Sequence, residues 1–230
     1  MCIQNLPVVF AIDRAGLVGS DGETHQGIFD FTYLSGIPNM HVMAPKNKWE
    51  LSDMLKFAFT LDRPAAIRYP RGEAWDGFKE FRAPVEYGRA EWIAREEEIC
   101  LFALGSMVKT GKEVRDRLKS KGHSCSLINA RFMQPLDEEA LLQAAGEHKL
   151  LVSLEENVKS GGLGEKVMGV LKKAGSETRL LNISLPDAFI EHGSADELKR
   201  ELSLDAESIE ARVLEELLRY NSSVCQSAEL

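Results

Sequence analysis

Apolar positions along the chain follow two alternating patterns. Residues 7–13, 41–44 and 65–69 are short, nearly continuous aliphatic runs, the pattern of strands buried on both faces. Between the second and third, Leu51, Met54, Leu55 and Ala58 share one helical face, and Asn47 with Glu50 has capping-box spacing at that helix's start. Residues 25–34 predict a further helix between the first two runs. This is the order of consecutive βαβ units, whose strands lie parallel and whose chemistry sits on loops at the strands' carboxyl ends.

Periodicity is lost over 74–85, where Gly, Trp, Lys, Arg and Pro mix, and this predicts a linker. A second alternation follows. Residues 99–104 predict a strand, Gly105 and Ser106 open a helix with Met107, Gly111, Val114 and Leu118 on one face, and 126–132 predict the next strand. Pro135, Leu136 and Asp137 start a helix, 150–154 form a strand, and Gly161, Gly162, Leu163 and Gly164 turn into a helix carrying Val167, Val170 and Leu171. Residues 180–184 predict another strand. Ser194 and Glu197 match a second capping box, and Ile209, Val213, Leu214, Leu217 and Leu218 mark a last amphipathic helix, with a loose tail expected from Asn221. No fixed-period repeat or low-complexity block is present.

Composition adds limits. The 230 residues are 44% hydrophobic and 28% charged, ordinary for a globular protein of one large or two modest domains. The balance of 28 basic and 36 acidic residues, net charge −8, favours solubility and works against sequence-independent nucleic-acid binding, so no nucleic-acid partner is expected. Four scattered cysteines form no CxxC pair, so neither a zinc site nor a disulfide framework is signalled. With no signal pattern at the start and no run of membrane-spanning length, a cytoplasmic location is expected and no membrane partner.

The candidate chemistry concentrates in residues 13–27, directly after the first predicted strand. Gly16, Gly19, Gly22 and Gly27 permit a chain that folds tightly over a ligand, or simply an irregular loop. Arg14 offers a forked donor for phosphate or carboxylate, or else an ion pair with adjacent Asp13. His25 brings an imidazole, a side-chain type suited to proton exchange, and has Asp21 four residues before it. Arg68 and Arg71 flank the turn ending the 65–69 strand, where they meet Arg14 in an anion site or pair with surface acids. The Gly161–Gly164 stretch lacks the Lys-Ser/Thr of a P-loop and reads as a strand-to-helix turn. Ser20, Asp21 and Gly22 with Asn47 only faintly echo a thiamine-diphosphate magnesium motif, since Ser20 replaces its leading glycine.

AIDRAGLVGSDGETHQGIFD, IPNMHVMAP and AAIRYPRG, followed by ARFMQPLDEEALL, VSLEENVKSGGLGEKV and LNISLPDAFIEHG, resemble signatures of the 1-deoxy-D-xylulose-5-phosphate synthases, transketolase-like thiamine-diphosphate enzymes. The resemblance implies an α/β fold: the later half of a parallel-sheet pyrimidine-binding domain over 1–80, then a three-layer transketolase C-terminal domain over 81–222 and a tail over 223–230. It implies decarboxylation of pyruvate on thiamine diphosphate and addition of the two-carbon fragment to D-glyceraldehyde 3-phosphate, a step toward isoprenoids, thiamine and pyridoxal. By motif position, Arg14 and Arg71 hold the acceptor phosphate, Asp21 orients substrate and His25 assists proton transfer.

The family's diphosphate- and Mg2+-binding domain has no counterpart in these residues, nor has the glutamate that activates the pyrimidine ring, and Glu23 sits in the wrong loop to replace it. The expectation is that the chain neither binds thiamine diphosphate nor turns over alone, and works with an amino-terminal half or in a homodimer. A non-catalytic binding or assembly module, or a subunit of another transketolase-like enzyme, are the alternatives. A sheet beginning at 7–13 is also expected to carry an open edge.

Overall fold

The computed structural model describes the backbone of residues 1–228 and the side chains of these except Ser20 and 223–228. Two sheets are built. The first is ordered β1 (Val9–Ile12), β3 (Ala65–Arg68), β2 (His41–Met43) and β7 (Phe132–Gln134), with β1 and β2 both parallel to the central β3. Helices α1 (Asp30–Ser35) and α2 (Lys48–Ala58) make the two crossovers. The second sheet is ordered β4 (Glu91–Ala94), β6 (Cys125–Asn129), β5 (Ile99–Ala103), β8 (Leu150–Val158) and β9 (Arg179–Leu185). All its pairings are parallel except the antiparallel edge pair β4–β6.

Period-two alternation divides the second sheet between two apolar layers. Ile99, Leu101 and Ala103 of β5 face one core with α3 (Met107–Ser120) and α7 (Ala206–Ala228), while Cys100 and Phe102 face another with α4 (Glu138–Glu147) and α5 (Leu163–Lys173). The second core is shared, because Phe31 and Leu34 of α1 and Val42 and Ala66 of the first sheet enter it. The first sheet's other face packs Met43 and Ile67 against Met54 and Ala58 of α2. This is the α/β architecture expected.

Several elements differ from the sequence reading. The helix expected over 25–34 is only Asp30–Ser35, because His25 ends a turn closed on the Gly22 oxygen at 3.0 Å and Gly27 is tied to Gly16 by backbone hydrogen bonds of 2.8 and 3.0 Å. Residues 126–132 are not one strand. After β6, Arg131 takes a left-handed φ of 59°, and the chain crosses as β7 to pair antiparallel with β2 of the first sheet. Strand β4 was not anticipated, although its buried Glu91 and Ile93 alternate with Trp92 and Ala94. β8 runs on to Val158, beyond the expected end at 154.

The two expected capping boxes fare differently. At α6 (Ala195–Glu201), Ser194 and Glu197 bond reciprocally. At α2, Asn47 accepts from the Glu50 amide at 2.8 Å, but Glu50 turns away into a buried ionic cluster with Lys46 and Arg131. Helix α7 continues through Ala228 instead of loosening from Asn221, and 229–230 lie outside the described residues.

β1 forms an open edge of the first sheet, and the residues before it are poorly covered: Ile3 is 99% exposed and Val8 36%. Among the described residues no helix is long and apolar enough to cross a membrane.

Candidate functional site

The loop after β1 is pinned at both ends. At its start Arg14 adopts φ 58° and the Ala15 amide bonds to the Tyr69 oxygen at 3.0 Å, so the loop runs beside the turn that follows β3. Gly16, at φ 75°, lies directly over the Glu156 side chain, and an added Cβ would be 2.7 Å from its Cγ. Inside the loop, Gln26 accepts from the Val18 amide at 2.7 Å and donates to the Glu191 oxygen at 3.3 Å. The far end is held by Arg68, discussed below.

Four residues were expected to act here, and three converge. Arg14 donates to Asp13 at 2.9 Å, and its Nε lies 3.5 Å from an oxygen of Asp21, too poorly aligned to count as a hydrogen bond. The same Asp21 oxygen is bonded by Arg71 from the turn after β3. One carboxylate thus lies between two guanidinium groups that are 39% and 51% exposed. The Arg71 hydrogen bond, with Arg14 adding to it, holds the Asp21 carboxyl below its ordinary range, so it is an anion at neutral pH. His25 is exposed, and among the described residues its side chain bonds only to Thr24, Nδ1 to Oγ1 at 2.9 Å. The structure does not bond it to the arginine cluster.

Arg68 and Arg71 part company. Arg71 reaches the loop acid, whereas Arg68 is wholly buried under it. Its Nε bonds to Asp30 at 3.1 Å, its Nη2 donates to the main-chain oxygens of Gly27 and, at 2.9 Å, Glu156, and its guanidinium stacks 4.1 Å from the Phe31 ring centre. The sequence-level choice for Arg68, an anion ligand or a partner of surface acids, resolves to neither. It is a structural cation that closes the loop's far end.

The residues that sequence reasoning missed cluster at the end of β8. Glu155 accepts from the Leu163 and Gly164 amides at 2.7 and 2.9 Å, which closes the amino end of α5 and confirms the glycine stretch as a turn. Burial pushes its carboxyl up to about 7 despite those bonds. Glu156 accepts from the Leu17 amide at 3.0 Å and from Ser106 at 2.7 Å. Asn157 accepts from the Phe31 amide at 3.3 Å and donates to Thr32 at 3.0 Å. The signal was two consecutive acids and an amide ending an otherwise apolar strand, polar groups that stay buried only when bonded.

Beside the loop, a cleft of about 880 Å3 opens between the two sheets' helices, with Asp13, Arg71, Lys48, Lys109, Glu156 and Lys199 on its walls. Its mixed charge suits a polar, anionic small molecule better than an apolar one. Among the described residues no three His, Cys, Asp or Glu side chains gather as metal ligands would. Asp21 and Asn47, the two residues echoing a magnesium motif, are occupied: Asp21 with arginines, and Asn47 in capping α2 and donating to the Gly77 oxygen at 2.8 Å.

The arrangement is that of a transketolase-like α/β protein. The family model for "Transketolase, pyrimidine binding domain" matches residues 1–75, and that for "Transketolase, C-terminal domain" matches 88–209. A 1-deoxy-D-xylulose-5-phosphate synthase of Lachnoclostridium phytofermentans is 51% identical over 91% of this chain, and one of Clostridium tetani 44% identical over 93%; in each case 34% of the relative is covered. Among solved structures, a protein described as a split gene transketolase in an inactive beta4 tetramer superposes with TM-score 0.83 and 26% identity, over 94% of this chain and 68% of its own. The transketolase of Campylobacter jejuni shares the fold at TM-score 0.66 and 19% identity, over 90% of this chain and 31% of its own. The chain belongs to the 1-deoxy-D-xylulose-5-phosphate synthase family and spans about a third of the length of the curated relatives it matches.

Proposed function

We propose that this chain is the acceptor-binding portion of a 1-deoxy-D-xylulose-5-phosphate synthase, which joins a two-carbon unit from pyruvate to D-glyceraldehyde 3-phosphate with loss of CO2. The product would feed isoprenoid, thiamine and pyridoxal synthesis. The observation that carries the reading is the convergence of Arg14 and Arg71 on one anion, the Asp21 carboxylate, with Arg71 itself on the wall of a polar cleft. Two forked cations suit a phosphate dianion, and Asp21 keeps them together until phosphate arrives. Asp21 is then free to accept from a substrate hydroxyl. His25, with Nδ1 engaged by Thr24, keeps Nε2 for proton exchange with bound substrate.

In this family the two-carbon carbanion is stabilised by thiamine diphosphate, held with Mg2+. The described residues do not fit a magnesium–diphosphate unit, since the acids of the site are bonded to arginines or to backbone amides. We therefore assign cofactor binding to a further segment, upstream on the same polypeptide or on a separate chain, and pyruvate binding with it. The split-gene neighbour supports a completed assembly of this kind, with a homodimer as the other arrangement.

The test is a coupled assay with pyruvate, D-glyceraldehyde 3-phosphate, thiamine diphosphate and Mg2+, with the chain alone and mixed with an amino-terminal half. Product only in the mixture is the expected result. Product from the chain alone would overturn the assignment of cofactor binding elsewhere. No product with a folded partner would favour a binding or assembly module.

A further inference from the structure

Glu156 touches none of the four proposed site residues, yet the loop that carries three of them is built on it. Its carboxylate comes from β8 of the second sheet and is buried, with 4% of the side chain exposed. One oxygen accepts the Leu17 amide at 3.0 Å and lies 3.8 Å from Lys199 Nζ of α6. The other accepts from Ser106 Oγ at 2.7 Å, at the amino end of α3. Above it sits Gly16, where a side chain would collide with the Glu156 carboxylate. Its main-chain oxygen meanwhile takes a 2.9 Å bond from Arg68, whose other contacts close the loop at Gly27 and Asp30.

One residue therefore fastens the loop near both ends, by side chain at position 17 and by main chain through Arg68. Arg14 lies three residues from the first attachment, in a left-handed conformation the loop must enforce. Without the carboxylate, the Leu17 amide loses its acceptor, and the amino-terminal part of the loop loses its side-chain attachment to the second sheet, which loosens Arg14 relative to Arg71.

Resting on the acceptor-site reading above, we infer that Glu156 is a positioning residue. It holds the 14–27 loop so that Arg14 and Arg71 converge on one anion, and so couples docking of the two sheets to acceptor-phosphate affinity. Gln at this position keeps an acceptor for the Leu17 amide, whereas Ala removes it. Ser106→Ala removes only the hydroxyl contact.

The experiment uses the full chain. Amide hydrogen exchange is measured by NMR in wild type, Glu156→Gln, Glu156→Ala and Ser106→Ala, together with the arginine Nε resonances and titration with inorganic phosphate. Glu156→Ala is expected to speed Leu17 exchange about tenfold or more, while β5 and β8 amides keep wild-type protection. Its phosphate affinity should fall about fivefold or more, with Glu156→Gln within about twofold of wild type and Ser106→Ala between the two. If Glu156→Ala does not fold, Glu156→Gln and Ser106→Ala carry the comparison, and each must then rank as stated. Leu17 exchange and Arg14 resonances unchanged in the variants would overturn the inference, as would a loosened loop with undiminished phosphate binding. A wild-type chain that binds no phosphate would instead count against the acceptor site, and the positioning role would still be decided by Leu17 exchange and the Arg14 resonance.

Discussion

Lys46 Nζ lies 2.6 Å from a carboxylate oxygen of Glu91, joining the end of the first sheet's β2 to the edge strand β4 of the second. Both are buried, and the pair is part of a balanced cluster: Lys46 also bonds Glu50 at 3.0 Å, and Arg131 reaches Glu50 at 2.8 Å and Glu91 at 3.2 Å. Asn129 supplies further hydrogen bonds to Glu50 at 2.9 and 3.0 Å. With two cations matched to two anions and the remaining lone pairs filled, the cluster meets the condition under which buried charge is tolerated.

Removing one partner should therefore be costly and removing a matched pair much less so. Lys46→Met is expected to lower stability by roughly 3–5 kcal/mol, because Glu50 and Glu91 are left with Arg131 as the one cation of the cluster. The double variant Lys46→Met/Glu91→Leu should recover a large part of that loss. Urea denaturation of both variants and of Glu91→Leu measures the coupling; additive losses would show that the cluster does not act as a unit.

Glu155 gives the chain a pH-dependent weakness. Its carboxyl stands at about 7 in the fold against an ordinary 4.5, because burial penalises its charge. A group raised in this way contributes stability that is complete below 4.5 and lost as pH climbs through about 7. The stability of Glu155→Gln relative to wild type should thus rise by about 2.5 kcal/mol between pH 5 and pH 8. Denaturation midpoints at the two pH values decide it, and a pH-independent difference would remove Glu155 as the cause.

Substitutions at the site should separate binding from chemistry. In the two-component assay, Arg14→Ala or Arg71→Ala should raise the KM for D-glyceraldehyde 3-phosphate about tenfold or more, and lysine at either position should restore only part of the loss. His25→Ala should instead lower kcat, by about a hundredfold if it moves a proton in the limiting step. Equal effects of all three on kcat alone would contradict the division of roles.

Proteases should find the chain's weakest regions before either sheet. The exposed residues ahead of β1 and the irregular stretch over 70–90 are the expected first cuts, with the second sheet persisting as the resistant fragment. Limited trypsin digestion followed by intact mass analysis tests this. A first cut inside β5 or β8 would be the contrary result.

How the fold was legible follows from what each element depends on. β5 and α3 were readable because their apolar period is local, set by residues one to four positions apart. The loop over 13–27 stood out as a candidate site because glycines, arginine and histidine crowd together after a strand. The crossing at β7 was not, since Arg131 breaks the strand through contacts with Glu50 and Glu91, far away in the chain.

The same division holds within the site. The residue types at 14, 21, 25 and 71 single out the loop after β1 and the turn after β3 as candidates from the sequence alone. Asp21's place between two arginines, the burial of Arg68 and the service of Glu156 beneath Gly16 were decided only by tertiary structure. The Leu17–Glu156 bond joins groups 139 residues apart and the Arg68–Glu156 bond groups 88 apart. Local periodicity reports which face of an element is apolar, whereas a buried charge declares its partner only once the chain has closed around it.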